Sequence, residues 1–232
     1  MFDYSVFDKQ DILEKVFYPR RDYSACPPNA FDLSVPVDDE VVVFVRLHIQ
    51  GTNLPTILLF HGNGEVIHDY DDIAQKYNER GINLAVADYR GYGNSDGAPS
   101  FCHVCEDAQA ILKAIRTESV SRNLSGDLYI MGRSLGSISA LELAAHDSEG
   151  IHGVIIESGF SDIAKVMKYW GLSLSEVPSQ LLERFNRSCT ERVAAIAVPV
   201  LILHGDQDQV VLYKEAKDLY DNLGVRSESP RE

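Results

Sequence analysis

The sequence predicts an α/β fold in which a mostly parallel sheet is covered by helices on both faces. Short, continuously apolar runs of strand length alternate with stretches whose apolar residues recur at helical spacing. A strand that is apolar at every position is buried from two sides, which is typical of a parallel sheet between helix layers. No internal repeat, low-complexity tract or linker interrupts the chain, so one domain over residues 1–232 is expected.

The strands are predicted from apolar runs that end at turn residues or at helical patterns. They are residues 40–49, 56–60, 82–87, 128–131, 153–156 and 199–203. Helices are predicted from helical spacing around residues 67–77, after Val104, over residues 134–146 and over residues 211–223. The first forty residues contain several proline-bearing breaks, and we expect a leading segment with at most one hairpin.

Residues 159–197 interrupt the alternation with mixed signals, and only there is the chain long enough for a lid over a site. This stretch contains the only tryptophan, Trp170, and an aromatic lid suits an apolar substrate. A helix packed on the edge of the sheet explains the same stretch equally well.

Composition argues against several classes of function. Hydrophobic residues make up 45% and charged residues 24% of the chain, which is ordinary for a globular protein. The net charge of −14 opposes binding to nucleic acid or to anionic membranes, and the apolar runs are far shorter than an integral membrane segment. The first eight residues lack the pattern of a signal peptide, so a cytoplasmic location is expected.

The four cysteines are scattered along the chain and predict free thiols rather than a disulfide framework. Cys102 and Cys105 flank His103-Val104, a spacing that also occurs in metal and redox sites. We favour a helix instead, because Val104 and Ala108 mark its apolar face. No second Cys or His pair is present to complete four metal ligands.

The pentapeptide Gly132-Arg133-Ser134-Leu135-Gly136 lies where a predicted strand turns sharply into a predicted helix. Such a turn holds a serine hydroxyl away from the backbone and requires small residues two positions before and two after it. A G-x-S-x-G match alone arises by chance in about one chain in ten of this size. Its context therefore decides whether Ser134 is a nucleophile.

The segment His61-Gly62-Asn63-Gly64 places small residues and free backbone N–H groups at the carboxyl end of a strand. Two preorganised N–H donors there can stabilise the negative oxygen of a tetrahedral intermediate, forming an oxyanion hole. The predicted donors are the backbone N–H groups of Asn63 and Leu135. The competing interpretation is a tight structural turn at His61 and Gly62, which explains His61 but not the neighbouring motifs.

A candidate acid follows the last predicted strand, in His204-Gly205-Asp206-Gln207-Asp208. A carboxylate at the carboxyl end of a strand can orient a histidine and stabilise its cation. Asp208 is the first choice and Asp206 the second. Either residue is alternatively an N-cap of the helix that follows.

Four stretches, taken in order, resemble the α/β-hydrolase family, and they are similar to bacterial serine esterase and thioesterase-like members with a His-Gly-Asn oxyanion motif. They are His61-Gly62-Asn63-Gly64, Asp88-Tyr89-Arg90-Gly91-Tyr92-Gly93-Asn94-Ser95, the pentapeptide, and residues 204–208. The resemblance covers about residues 40–223.

This resemblance implies the α/β-hydrolase fold, with Ser134 as nucleophile, Asp208 as acid and backbone donors at Asn63 and Leu135. It also implies hydrolysis of an ester, thioester or amide through an acyl-enzyme, without metal or organic cofactor. The expected substrate is a small or lipid-like molecule.

The family's order of catalytic residues, Ser then Asp then His, breaks off after the acid. All seven histidines precede Asp208, and His61 and His204 are not on the loop that normally faces the nucleophile. The polar tail at residues 225–232 has no strand pattern, so the last strand and helix are expected to be absent. Strand 199–203 would then be an exposed edge through which an oligomer can form.

Three explanations of the missing base stay open. The chain is truncated or frame-altered near residue 223, or it is a pseudo-hydrolase that binds a ligand without turnover. In the third explanation another subunit supplies the strand and the base by swapping.

Overall fold

The computed structural model of the protein describes residues 4–224, so the predicted polar tail at residues 225–232 lies outside the described residues. Seven strands form one sheet. They are β1 (Phe31–Asp38), β2 (Val41–His48), β3 (Thr56–Phe60), β4 (Asn83–Ala87), β5 (Leu128–Arg133), β6 (Ile151–Glu157) and β7 (Val200–Leu203). Their order is β1-β2-β4-β3-β5-β6-β7, in which β2 runs antiparallel to β1 and β4 and the other pairs are parallel.

Seven α-helices precede, connect or follow these strands in the described part of the chain. They are α1 (Gln10–Val16), α2 (Asp71–Asn78), α3 (Phe101–Ser121), α4 (Ser137–His146), α5 (Ile163–Tyr169), α6 (Ser179–Ala194) and α7 (Tyr213–Asn222).

Helices cover both faces of the sheet, because alternate residues of its central strands belong to two separate apolar clusters. In β3, Leu58 and Phe60 pack into one cluster together with residues of α3 and α4. Ile57 and Leu59 pack into the other cluster, on the side of α2. Every residue of β3 and β4 is buried. This arrangement confirms the predicted α/β fold with a mostly parallel sheet.

The predicted strands and helices are present, with some bounds moved. α3 begins at Phe101, earlier than its apolar pattern indicated, because the Ser100 hydroxyl accepts a hydrogen bond from the His103 N–H and caps the helix. Cys102 and Cys105 lie in the first turns of α3, and Cys105 is buried on its apolar face.

The first forty residues contain more regular structure than the sequence predicted. The expected hairpin is β1 paired with β2, but α1 was missed. Ile12 and Val16, one helical turn apart, bury one face of α1. Tyr4 and Phe7 pack their rings against Phe101 at the start of α3. The leading segment is therefore part of the core. α1 was missed because it is too short to show a clear helical pattern in the sequence.

β7 lies at the edge of the sheet, and among residues 4–224 its only strand partner is β6. Leu201 and Leu203 are 53% and 46% exposed, so the strand leaves apolar surface uncovered by the described residues. The stretch at residues 159–197 forms α5 and α6, and α6 packs against α4 and α7.

Candidate active site

Ser134 lies at the turn between β5 and α4. Its backbone has a φ of +48°, in the left-handed region that residues other than glycine rarely adopt. Residues Ser134–Gly136 form one 3-10 turn before α4 begins. The Ser137 hydroxyl donates a hydrogen bond of 2.6 Å to the Ser134 carbonyl and stabilises this turn from the helical side. Local strain of this kind is typical of functional turns.

The glycines on either side of the turn are required by space. A Cβ at Gly132 would lie 2.5 Å from the Gly136 carbonyl oxygen and 2.8 Å from the Cβ of Ala140. A Cβ at Gly136 would overlap the carbonyl of Phe60, the last residue of β3. The Ser134 turn therefore packs directly against the end of β3.

The segment that follows β3 brings its polar groups to the same end of the sheet. His61 is completely buried, and its Nε2 lies 3.1 Å from the Oδ1 of Asp88. The Gly62 N–H donates to the Glu65 carboxylate over 2.7 Å. Within the described residues, the backbone N–H of Asn63 has no hydrogen-bond acceptor. His61 is thus a buried structural side chain, whereas Gly62 and Asn63 line the cavity beside Ser134.

Asp208 is positioned by the loop that follows β7. Its Oδ1 accepts hydrogen bonds of 2.9 Å from the N–H groups of Val210 and Val211. Burial opposes ionisation, but these donors and the Ser158 hydroxyl outweigh it and lower the pKa of Asp208. The Asp208 side chain is therefore a carboxylate at neutral pH. Asp206, the second choice for the acid, does not line the cavity.

Ser134, Asn63 and Asp208 share one cavity of about 870 Å³. Three separate parts of the chain complete its wall: the N-terminal segment, the loop after α5 and the loop after β7. The lining residues are Glu14, Lys15, Tyr18, Gly62, Asn63, Glu65, Arg133, Ser134, Ser158, Trp170, Leu172, Asp208, Val210 and Val211. The cavity is of a size that holds a small-molecule ligand.

All seven histidines are among the described residues, and none of them lines this cavity. His204 comes nearest in sequence to Asp208, and its Nε2 lies 3.6 Å from the Asp208 carboxylate. That nitrogen donates to the Val211 carbonyl over 2.7 Å, and the His204 side chain is only 1% exposed. His204 therefore supports the loop of Asp208 and does not face Ser134.

Arg133, which directly precedes Ser134 in the sequence, places a cationic side chain beside the cavity. Arg133 is ion-paired with Glu65, and its Nε lies 3.8 Å from Glu157. Glu65 in turn accepts hydrogen bonds from the Gly62 N–H and the Tyr70 hydroxyl, both over 2.7 Å. These contacts link the turn after β3 to the turn after β5. They were not predicted from the sequence, because the partners are far apart along the chain.

Trp170 lines the cavity and connects two of its walls. Its Nε1–H donates to the Val210 carbonyl over 2.9 Å, and the neighbouring Tyr169 hydroxyl donates to the Gln209 carbonyl over 3.3 Å. The end of α5 is thereby attached to the loop that carries Asp208.

The N-terminal part of the wall was missed by the sequence analysis. Glu14 and Lys15 of α1, together with Tyr18, line the cavity. The signal that would have found α1 is the pair Ile12 and Val16, whose spacing is that of one helical turn. Nothing in that pattern indicates proximity to Ser134, which depends on long-range contacts.

Neither a metal centre nor a membrane-spanning helix is found within residues 4–224. No three His, Cys, Asp or Glu side chains in this range are arranged to hold a metal ion. None of the helices described is both long and apolar enough to cross a membrane.

The fold and the sequence both match known α/β-hydrolases. The sequence model of the family described as serine aminopeptidase, S33, matches residues 52–188 and 179–230. The esterase Pf2001 of Pyrococcus furiosus superposes with a TM-score of 0.67 at 17% identity, covering 88% of this chain and 83% of that one. At this level of identity the likeness shows the fold alone.

Two curated relatives illustrate the range of matches. The uncharacterized protein YfhR of Salmonella typhimurium is 26% identical over 221 residues, which cover 84% of this chain and 73% of the relative. The lysophosphatidylserine lipase ABHD12 of Danio rerio is 31% identical over 191 residues, which cover 75% of this chain and 48% of the relative. The chain thus spans about half the length of the fish protein. On the family match and the fold, the chain belongs to the α/β-hydrolase family of the serine aminopeptidase, S33 type.

Proposed function

We propose that this protein is a serine hydrolase in which Ser134 is the nucleophile. The observation that carries the proposal is the strained turn of Ser134, which opens into a cavity that the ionised Asp208 also lines. The Ser134 oxygen attacks the carbonyl carbon of the substrate, the leaving group departs with a proton, and an acyl-enzyme forms. Water then hydrolyses the acyl-enzyme and regenerates the serine.

Backbone N–H groups of Asn63 and Leu135 stabilise the negative oxygen of the tetrahedral intermediate. Asn63 supports this role because its N–H has no acceptor among the described residues. Leu135 directly follows the nucleophile, and its turn packs against the end of β3, where Asn63 begins its own turn. Removing one such donor typically costs about 100- to 1000-fold in turnover.

The proposed substrate is an ester, thioester or amide of a small or lipid-like molecule. Apolar side chains of the cavity, Trp170, Leu172, Val210 and Val211, support an apolar acyl group. The fish relative is named a lysophosphatidylserine lipase and the Pyrococcus protein an esterase, and both names are consistent with ester cleavage. We propose that residues 159–197 act as the lid, because Trp170 belongs to the cavity wall.

The four free cysteines support the predicted cytoplasmic location, which stays a prediction. Association of subunits through the exposed edge of β7 likewise stays a prediction. The proposal makes no use of a metal or an organic cofactor.

None of the seven histidines, all of which lie within residues 4–224, lines the cavity, so none of them is placed to act as the general base for Ser134. A serine hydroxyl without a base is a weak nucleophile, and its acylation is slower by several orders of magnitude. Added imidazole can enter an open cavity and accept the proton of Ser134. The proposal therefore predicts slow intrinsic reactivity that imidazole accelerates.

The test is labelling with a fluorophosphonate, with and without added imidazole, followed by mass spectrometry to identify the modified residue. We expect labelling at Ser134 that imidazole accelerates and that Ser134→Ala abolishes. Ser173→Ala, at an exposed serine outside the cavity, is the matched control and should be labelled like the unaltered protein. Absence of labelling at Ser134 even with imidazole would contradict the proposal and favour a binding module.

A further inference from the structure

The backbone and the side chain of Asn63 serve different elements of the structure. Its backbone N–H belongs to the proposed oxyanion hole, whereas its side chain points to the N-terminal segment. The Oδ1 accepts hydrogen bonds from the Tyr18 N–H over 3.0 Å and from the Tyr92 hydroxyl over 2.6 Å. The Nδ2 donates to the Val16 carbonyl. Two of these three bonds hold the end of α1, and the third joins Asn63 to Tyr92 in the turn after β4.

The two bonds to the end of α1 satisfy backbone groups that the helix cannot satisfy itself. The last carbonyls of a helix lack an intrahelical donor, and Val16 is the last residue of α1. The chain leaves the helix at Phe17 in an extended conformation, so the Tyr18 N–H also needs a partner outside the helix. The amide side chain offers a donor on one atom and an acceptor on another, and so serves the Val16 carbonyl and the Tyr18 N–H at the same time. Asn63 is thus chemically matched to this helix end.

The next residues of the segment are held by the turn after β4. The Gly93 N–H donates to the Arg20 carbonyl over 2.8 Å, and the Asp22 N–H donates to the Gly93 carbonyl over 3.3 Å. The Arg21 guanidinium donates to the Ser95 carbonyl. The sequence had singled out residues 88–95 by resemblance without assigning them a task. In the structure their turn anchors residues 20–22.

The segment between these anchors forms one side of the cavity. Lys15 and Tyr18 line it together with Glu14. Val16 and Phe17, which lie between Lys15 and Tyr18, are buried in the core, whereas Tyr18 is 63% exposed and is held by little other packing.

The Tyr18 hydroxyl donates to the Lys15 carbonyl over 3.2 Å, which ties the two residues to each other. The position of Tyr18 relative to Ser134 therefore depends on the Asn63 amide. It also depends on the Tyr92 hydroxyl, which accepts a second hydrogen bond from the Tyr18 N–H over 3.1 Å.

We propose that the Asn63 side chain is a positioning residue that fixes residues 14–18 as a wall of the cavity, and that this wall selects substrates by the length of their acyl chain. The inference rests on the proposed function, since it assigns a substrate preference to the same cavity. A short acyl group occupies the space near Ser134, whereas a long one extends to the wall. Loss of the Asn63 amide therefore affects long ligands more than short ones.

The test measures binding without catalysis. In the Ser134→Ala background, ethyl and decyl fluorophosphonates bind without reacting, and the single tryptophan, Trp170, reports their binding by fluorescence. Adding Asn63→Ala is expected to weaken decyl binding about tenfold more than ethyl binding, as when about two methylene groups lose a buried contact. Asn63→Asp keeps the acceptor but replaces the donor bond to the Val16 carbonyl by a repulsive contact between two oxygens, so it should not restore decyl binding.

Hydrogen exchange supplies the structural readout. The amides of residues 10–22 should exchange faster in Asn63→Ala than in the unaltered protein. Their exchange rates should not change in the control Asn53→Ala, which alters an exposed asparagine outside the cavity. If Asn63→Ala does not fold, Tyr92→Phe removes the hydroxyl that donates to Oδ1 and accepts from the Tyr18 N–H, keeps the Asn63 amide, and should give a smaller change of the same kind. Equal weakening of both ligands, or unchanged exchange in residues 10–22, would overturn the inference. Failure of Ser134 to react in the unaltered protein would contradict the proposed function alone, because binding does not require that reaction.

Discussion

Gly132→Ala gives a direct test of how tightly the Ser134 turn is packed. The added methyl group would lie 2.5 Å from the carbonyl oxygen of Gly136, 2.7 Å from its carbonyl carbon and 2.8 Å from the Cβ of Ala140. Carbon atoms in favourable contact are about 3.5–4.0 Å apart. Backbone on both sides must therefore move by roughly 1 Å, because two of the three atoms are not part of a flexible side chain.

The expected destabilisation follows from this overlap. Overpacking a core usually costs about 1–3 kcal/mol, and contacts with backbone belong at the upper end of that range. For a protein of this size, a loss of about 3 kcal/mol lowers the melting temperature by roughly 6–12 °C. The movement also displaces Ser134 and the Leu135 N–H. A shift of about 1 Å at a reacting group can cost about 100-fold in rate.

Two other glycines provide graded controls. A Cβ at Gly153 of β6 would lie 3.3 Å from its nearest neighbours, and a Cβ at Gly205 would meet nothing within 4 Å. Thermal unfolding and the rate of fluorophosphonate labelling should therefore follow the order Gly205→Ala, Gly153→Ala, Gly132→Ala, with the last most affected. Melting of Gly132→Ala within about 2 °C of Gly205→Ala would refute the argument.

Two further predictions concern buried ionisable residues. Asp88→Ala removes the acceptor of the Ile67 N–H and the partner of His61, so urea unfolding should show a loss of about 3 kcal/mol, and a loss below about 1 kcal/mol would contradict this role. Burial lowers the pKa of His48, although Asp71 lies 3.3 Å from its Nε2. The unfolded chain therefore takes up the proton first, and stability should fall as the pH drops below about 6.5, by at most about 1.4 kcal/mol per pH unit. The stability of His48→Gln should therefore fall less as the pH drops. Identical profiles of stability against pH for the variant and the unaltered protein would argue against this role of His48.

The sequence predicted those features that depend on local patterns. Each inner strand is apolar at consecutive positions, and helices such as α4 follow directly from small and apolar residues at helical spacing. The glycines at 132 and 136 could be assigned from the turn alone, since a serine in a sharp turn needs small neighbours. α1 was missed because it is short and is soon followed by Pro19, and its stability comes from packing of Ile12 and Val16 in the core.

The candidate site likewise combines residues that local motifs predicted with contacts that they did not. Ser134, Asn63 and Asp208 were selected from motifs that end strands of one parallel sheet, and such ends meet at one edge. The ion pair of Arg133 with Glu65 and the bonds of the Asn63 amide could not be found this way. Their partners are separated by tens of residues, and no periodicity in the sequence relates them.

The sequence by itself determined the α/β architecture and the order of the motifs, because these depend on residue type and spacing along the chain. Only the tertiary structure decided that His61 and His204 are buried supports, and that α1 forms a wall of the cavity. The physical reason is that burial and hydrogen bonding across distant segments are set by how the helices and loops pack on the sheet. Motifs specify which groups reach the edge of the sheet, and packing specifies which of them face the cavity.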